Sequence, residues 1–168
     1  MVSSETLDPA SLRDPDRAQP HAAPIATSDY FVFRLRGRTY ALAPSCVEIV
    51  VPLQPIVAIP TAGAHVRGVM YLRGRVIAVV DLVSLLGIDD GAQSNDPTRI
   101  VVVDAPCPFA FVADATLGIW AFADDAQTRT TDDGPLVSAR IEDRGGAATL
   151  IDPRAVFDRV ASGRAERP

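Results

Sequence analysis

GVMYLRGRVIAVVDL, residues 68–82, decides how this chain is read. VMYL and RVIAVV are short, apolar and β-branched, and Arg73-Gly74 between them can turn the chain back on itself. Asp81 closes the second run and leads into LVSLLG, where Leu82, Leu85 and Leu86 share one side and Gly87 offers a stop. The stretch therefore predicts a strand, a tight turn, a second strand and a short capped helix, with no linker between strand and helix.

The same grammar extends in both directions. In YFVFRLRGRTYAL, Phe31, Phe33 and Leu35 alternate with Val32, Arg34 and Arg36, the period of a half-buried strand, and Arg36-Gly37 precedes a second run through Tyr40 and Leu42. CVEIVV and PIVAI, both bounded by proline, predict two more strands, and TRIVVVD, FAFVAD, LGIWAF, LVSARIE and AATLI predict five in the second half. About ten strands at this spacing leave no room for helical crossovers and close on themselves to protect their edges. Asp152-Pro153 caps a second helix carrying Val156, Phe157 and Val160.

An internal repeat follows from these junctions. Gly74, Asp81, Leu85 and Leu86 recur at identical spacing as Gly145, Asp152, Val156 and Phe157. Either two ordinary strand–helix junctions coincide, or the chain holds two related barrel modules packed on each other, with or without exchange of strands between them; the second reading is favoured. Residues 1–28 mix Pro, Ala, Asp, Ser and Arg without apolar periodicity and are expected as a disordered tail, with a flexible end over 161–168. The domain then spans 29–160, in approximate modules 29–97 and 98–160.

Composition narrows the function. The 168 residues hold no apolar run of the roughly 18–20 needed to cross a bilayer. The N-terminus has no secretory pattern, which points to the cytoplasm. A net charge of −5 disfavours nucleic acid and anionic membranes. All sixteen cationic side chains are Arg, so Schiff-base and phosphate-loop lysine chemistry are excluded. Cys46 and Cys107 are expected as free, buried thiols, and His21 and His65 lie too far apart in sequence to suggest a metal site. Neither a metal nor a cofactor is expected. Asp89-Asp90, Asp124-Asp125 and Asp132-Asp133 suit solvated loops, and Arg34, Arg36 and Arg38 suit a charged rim that deters edge pairing. The enzyme alternative needs Cys46 or Cys107 activated beside His65.

At Gly68-Val69-Met70-Tyr71-Leu72-Arg73-Gly74, followed by an apolar strand ending Val80-Asp81-Leu82, the chain resembles the CheW family of bacterial chemosensory coupling proteins. The resemblance extends over YFVFRLRGRTYALAPSCVEIVVP, RIVVVD, FAFVAD and LGI, roughly Asp29 to Val160. It implies an all-β fold of two five-stranded SH3-like barrels packed together with two short helices. It also implies a non-catalytic adaptor, linking the cytoplasmic tip of a chemoreceptor to the regulatory domain of a CheA-type histidine kinase at membrane receptor arrays, without itself entering the membrane. A divergent scaffold for pili or surface motility shares the pattern. Val47, Glu48, Gly68, Tyr71, Arg73 and Gly74 match the receptor-contacting region. Two departures stand out: Tyr71 replaces the usual Asn, and Ile49 occupies the place of the acid expected to pair with Arg73, leaving Glu48 one step early.

Overall fold

The computed structural model describes residues 26–60, 63–88, 97–128, 134–143 and 146–163. Among these, the strands are β1 (Thr27–Leu35), β2 (Arg38–Leu42), β3 (Val47–Pro52), β4 (Val66–Leu72), β5 (Arg75–Val80), β6 (Arg99–Val103), β7 (Phe109–Ala113), β8 (Ala115–Ala123), β9 (Gln127–Thr128), β10 (Val137–Asp143) and β11 (Gly146–Ile151). Helix α1 (Leu82–Leu85) follows β5, and α2 (Pro153–Ser162) follows β11. The expected all-β class with two short helices is what the chain adopts. His21, Gly145 and the pairs Asp89-Asp90 and Asp132-Asp133 lie outside the described residues.

The strands form two sheets that do not divide the chain at residue 97. Hairpin β1–β2 joins strands from the other end of the chain in a six-stranded sheet, β8-β1-β2-β11-β10-β9. Hairpin β6–β7 completes a five-stranded sheet, β3-β6-β7-β5-β4. Each half of the chain thus lends its hairpin to the sheet of the other.

Register makes the repeat explicit. Phe31 faces Leu42 in one hairpin as Val101 faces Phe111 in the other. The parallel contact of β11 with β2, Thr149 to Tyr40, has its counterpart in β5 with β7, Ala78 to Phe109. Bulges match as well: Glu48 in β3 answers Leu117 in β8, and Arg67 in β4 answers Ser138 in β10. Asp81 accepts a hydrogen bond from the Ser84 amide at 3.2 Å, and Asp152 accepts from the Arg154 and Ala155 amides at 2.8 and 3.3 Å. Both are helix N-caps. Asp152→Ala should cost about 1 kcal/mol, read as a lower denaturant midpoint with an unchanged slope.

Among the described residues the buried apolar side chains form three clusters. Met70, Ile77, Val79, Ile100, Val102 and neighbours pack within the five-stranded sheet. Tyr30, Val32, Ala41, Phe122, Ile141 and Ala148 pack within the six-stranded one. Between the sheets, Phe31, Phe33, Leu35, Tyr40 and Leu42 meet Val101, Val103, Phe109 and Phe111. Strand β1 therefore feeds two cores from its two faces, and Val32 is as buried as Phe33. The half-buried reading of this strand is corrected: alternation separates the faces of a strand, but a strand between two cores needs apolar groups on both.

Other boundaries also differ from expectation. PIVAI forms no ladder; only Val57 bridges β4, exchanging hydrogen bonds with Val69 at 2.8 and 2.9 Å, because prolines at 55 and 60 remove the donors a longer ladder needs. β1 starts at Thr27, inside the stretch assigned to the tail, and α2 runs to Ser162. The two-residue β9 was not foreseen.

Candidate docking surface on the β4–β5 hairpin

The six residues singled out from sequence fall on β3, on β4 and at the β4–β5 turn. Leu72 pairs with Arg75, leaving Arg73-Gly74 as a two-residue turn. Such turns match the twist of the strands when both central residues have positive φ, and here Arg73 stands at 48° and Gly74 at 83°. A Cβ added to Gly74 meets nothing within 4 Å, so conformation alone asks for glycine there. Arg73 adopts the same region at a cost of about 1 kcal/mol, where Asn or Gly would be cheaper. Arg36 at φ 50° repeats this in the β1–β2 turn. Among the described residues no side-chain partner meets the Arg73 guanidinium, which projects from the hairpin tip.

Gly68 serves a different purpose. Its φ is 154°, and an added Cβ would lie 2.3 Å from the Val57 carbonyl oxygen. The missing side chain lets the segment before β4 cross close over the strand, where Val57 bonds Val69. Gly68 is buried and shapes the surface from beneath.

What faces outward is apolar. Tyr71 lies directly across from Val76, and the two are 69% and 70% exposed. Val57 and Ile59 extend the exposed apolar area along the crossing segment. Beside it runs a groove of about 560 Å³ between the outer face of β4–β5, at Val69 and Ala78, and helix α2, at Phe157 and Val160. Large contiguous apolar exposure of this kind marks an interaction surface.

The repeat supplies a built-in comparison. In the six-stranded sheet the positions of Val69, Tyr71, Val76 and Ala78 are taken by Arg140, Glu142, Ala147 and Thr149, as the cross-strand pairs Arg140–Thr149 and Glu142–Ala147 show. A depression of about 480 Å³ there is lined by these residues together with Arg38 and by Leu86 in the place of Phe157. One backbone arrangement thus presents two unlike faces, one apolar and one charged.

Comparison with known proteins decides the family. A model of the CheW-like domain matches residues 29–161. The chain belongs to the CheW-like domain family. Its structure is similar to that of the scaffolding protein TtCheW from Thermoanaerobacter tengcongensis, with a TM-score of 0.69 and 25% identity, covering 79% of this chain and 94% of that one. No curated protein matches the sequence. The CheW-like family is one of scaffolds and adaptors, in keeping with a surface built for contact.

Within this CheW-like chain the acid near Arg73 is accounted for differently than anticipated. Val47 pairs with Val103 and Ile49 with Val102, so Glu48 is the extra residue of a bulge. Its carboxylate forms an ion pair with Arg75, on the far side of the turn, instead of Arg73. Both side chains are at the surface, so the pair contributes at most about 1 kcal/mol. Val47 itself is partly buried against the central core.

The thiols also depart from expectation. Both cysteines are free, but only Cys46 is partly buried; Cys107 is exposed, held outward on the Pro-Cys-Pro turn between β6 and β7. His65 makes its side-chain contact with Ser84, Nδ1 to Oγ at 3.3 Å, and not with a cysteine. Among the described residues no group of three metal-ligating side chains occurs, and no helix is long and apolar enough to cross a membrane. Sequence reasoning missed Val76, Val57 and Ile59 as surface residues. Val76 was within reach, because a two-residue turn after Leu72 fixes it opposite Tyr71.

Proposed function

We propose that the chain is a non-catalytic chemosensory adaptor of the cytoplasm, coupling methyl-accepting chemoreceptors to a CheA-type histidine kinase at receptor arrays. The observation that carries this reading is the exposed Tyr71–Val76 pair beside a guanidinium held at the tip of a strained turn. Strain kept at an exposed position, where Asn or Gly would relieve it, points to a task for Arg73 other than stability. The receptor tip is assigned to this face, with Tyr71, Arg73 and Val76 making contact, Gly68 and Gly74 setting its shape, and Val47 and Glu48 bordering it. The kinase regulatory domain is assigned to a separate surface. Two unlike faces on one repeated framework suit an adaptor that holds two partners at once.

Binding of the purified protein to a receptor cytoplasmic hairpin and to a kinase regulatory domain tests the assignment. Arg73→Ala should weaken receptor binding by about 2 kcal/mol, near thirtyfold, and leave kinase binding intact. Arg73→Asn separates contact from folding: it should lose the receptor to a similar degree while melting no lower than the parent chain. Failure to bind either partner at tens of micromolar rejects the adaptor reading.

A second reading, a scaffold for pili or surface motility, is favoured by one observation. Glu48 is engaged by Arg75, so the acid–arginine pair expected at Arg73 is replaced. Kinase binding without binding to a flagellar-type receptor would select it.

A further inference from the structure

We propose that the five-stranded sheet is a self-sufficient cooperative unit, from which the six-stranded sheet and α2 open together as a second unit in the native protein. The inference is independent of which partners the protein serves. It rests on how the chain is threaded. Every strand of the five-stranded sheet lies in one uninterrupted stretch, Val47 to Ala113, and so does its private cluster of Met70, Ile77, Val79, Ile100, Val102 and Ala110. The six-stranded sheet is assembled from two pieces on either side of that stretch. β1 pairs Thr27 with Ala123, and β2 pairs Tyr40 with Thr149. Its private cluster, including Tyr30, Val32, Phe122 and Ile141, likewise comes only from those outer pieces.

The two possible half-open forms therefore differ in chain entropy. With the outer pieces released, the stretch from β3 to β7 keeps all of its ladders, and none of the released chain has to be closed into a loop. With the inner stretch released, the outer sheet must still hold the ends of a long disordered loop together, at an entropic cost that the first form does not carry. Both forms lose the shared cluster between the sheets, so that loss does not discriminate. Local opening follows the least costly cooperative unit. Here that unit is β1, β2 and β8–β11 with α2, whose Phe157 and Val160 wall the apolar groove. In the opened form the Tyr71–Val76 hairpin stays folded, whereas the Arg140–Glu142 face is lost.

Hydrogen exchange of the full-length chain at increasing sub-denaturing urea, read by amide-resolved NMR, tests this. Amides of β1, β2, β8, β10 and β11 should merge into one exchange isotherm, at least tenfold faster than the slowest amides of β5, β6 and β7. Two core variants check the direction of coupling. Ile141→Val, in the outer private cluster, weakens packing that both the half-open and the unfolded forms have lost, so it should speed exchange in both sheets. Ile77→Val, in the inner cluster, weakens packing that the half-open form keeps, so it should speed the five-stranded sheet and leave the six-stranded sheet unchanged. A single isotherm for the two sheets, faster exchange of the five-stranded sheet, or acceleration of the six-stranded sheet by Ile77→Val overturns the proposal.

Discussion

Phe33→Ala is expected to lower the unfolding free energy by about 3–5 kcal/mol, the largest effect of any single truncation considered. Phe33 is fully buried and contributes to the cluster shared by the two sheets. Its ring centroid lies 4.9 Å from that of Phe111 on β7, and 6.1 and 6.0 Å from those of Phe31 and Tyr40. Loss of the ring removes both its transfer free energy and these contacts across the sheet interface, where close packing on both sides limits collapse. Urea titration followed by tryptophan fluorescence and far-ultraviolet dichroism would read the loss, since Trp120 lies on the six-stranded side. Phe33→Leu keeps most of the volume and should cost well under half as much. Equal losses for the two substitutions would show that shape at this site matters more than buried volume.

Gly68→Ala should be the most costly of the small substitutions, at about 3 kcal/mol when backbone strain at positive φ is joined by overlap with backbone. The overlap is with the Val57 carbonyl oxygen, 2.3 Å from the added Cβ, and not with the flexible end of a side chain. Relief requires the crossing segment to lift from β4, which breaks the two hydrogen bonds between Val57 and Val69. The amide protons of Val57 and Val69 should accordingly lose protection before the rest of β4. Gly74→Ala provides the contrast. It faces open space, carries only the conformational penalty of φ 83°, and should cost about 1 kcal/mol. If the two alanine variants melt together, the close approach at Gly68 is not what holds the segment down.

The local parts of this fold were readable because short-range chemistry specifies them. Arg36-Gly37 and Arg73-Gly74 announce turns, and Asp81 and Asp152 announce helix starts, through interactions spanning a few residues. The pairing partners were not readable in the same way. Period-two alternation says which side chains share a face and nothing about which strand lies alongside, so placing β1 between β8 and β2 was beyond it. The buried Val32 was misjudged for the same reason. In VEIVV nothing marks Glu48 as the bulged residue, yet that one extra residue directs its carboxylate to Arg75. The candidate surface was legible through family resemblance at Tyr71 and Arg73, but its apolar breadth at Val57, Ile59 and Val76 emerged from register and the crossing segment. Cys107 was misassigned because an apolar thiol is usually interior; two flanking prolines keep it on an outward turn.

The reciprocal loan of hairpins carries a consequence of its own. Were the two halves separate polypeptides, completing either sheet would require association, and folding would depend on protein concentration. If those polypeptides were identical, the resulting symmetric dimer would display the same surface twice. Covalent joining makes the exchange intramolecular, at an effective concentration set by the connecting segments. It also lets each position vary without its twin, so one copy of the surface can become Tyr71 and Val76 while the other becomes Glu142 and Ala147. A single chain thereby obtains what a homodimer cannot: two different handles at a fixed one-to-one ratio.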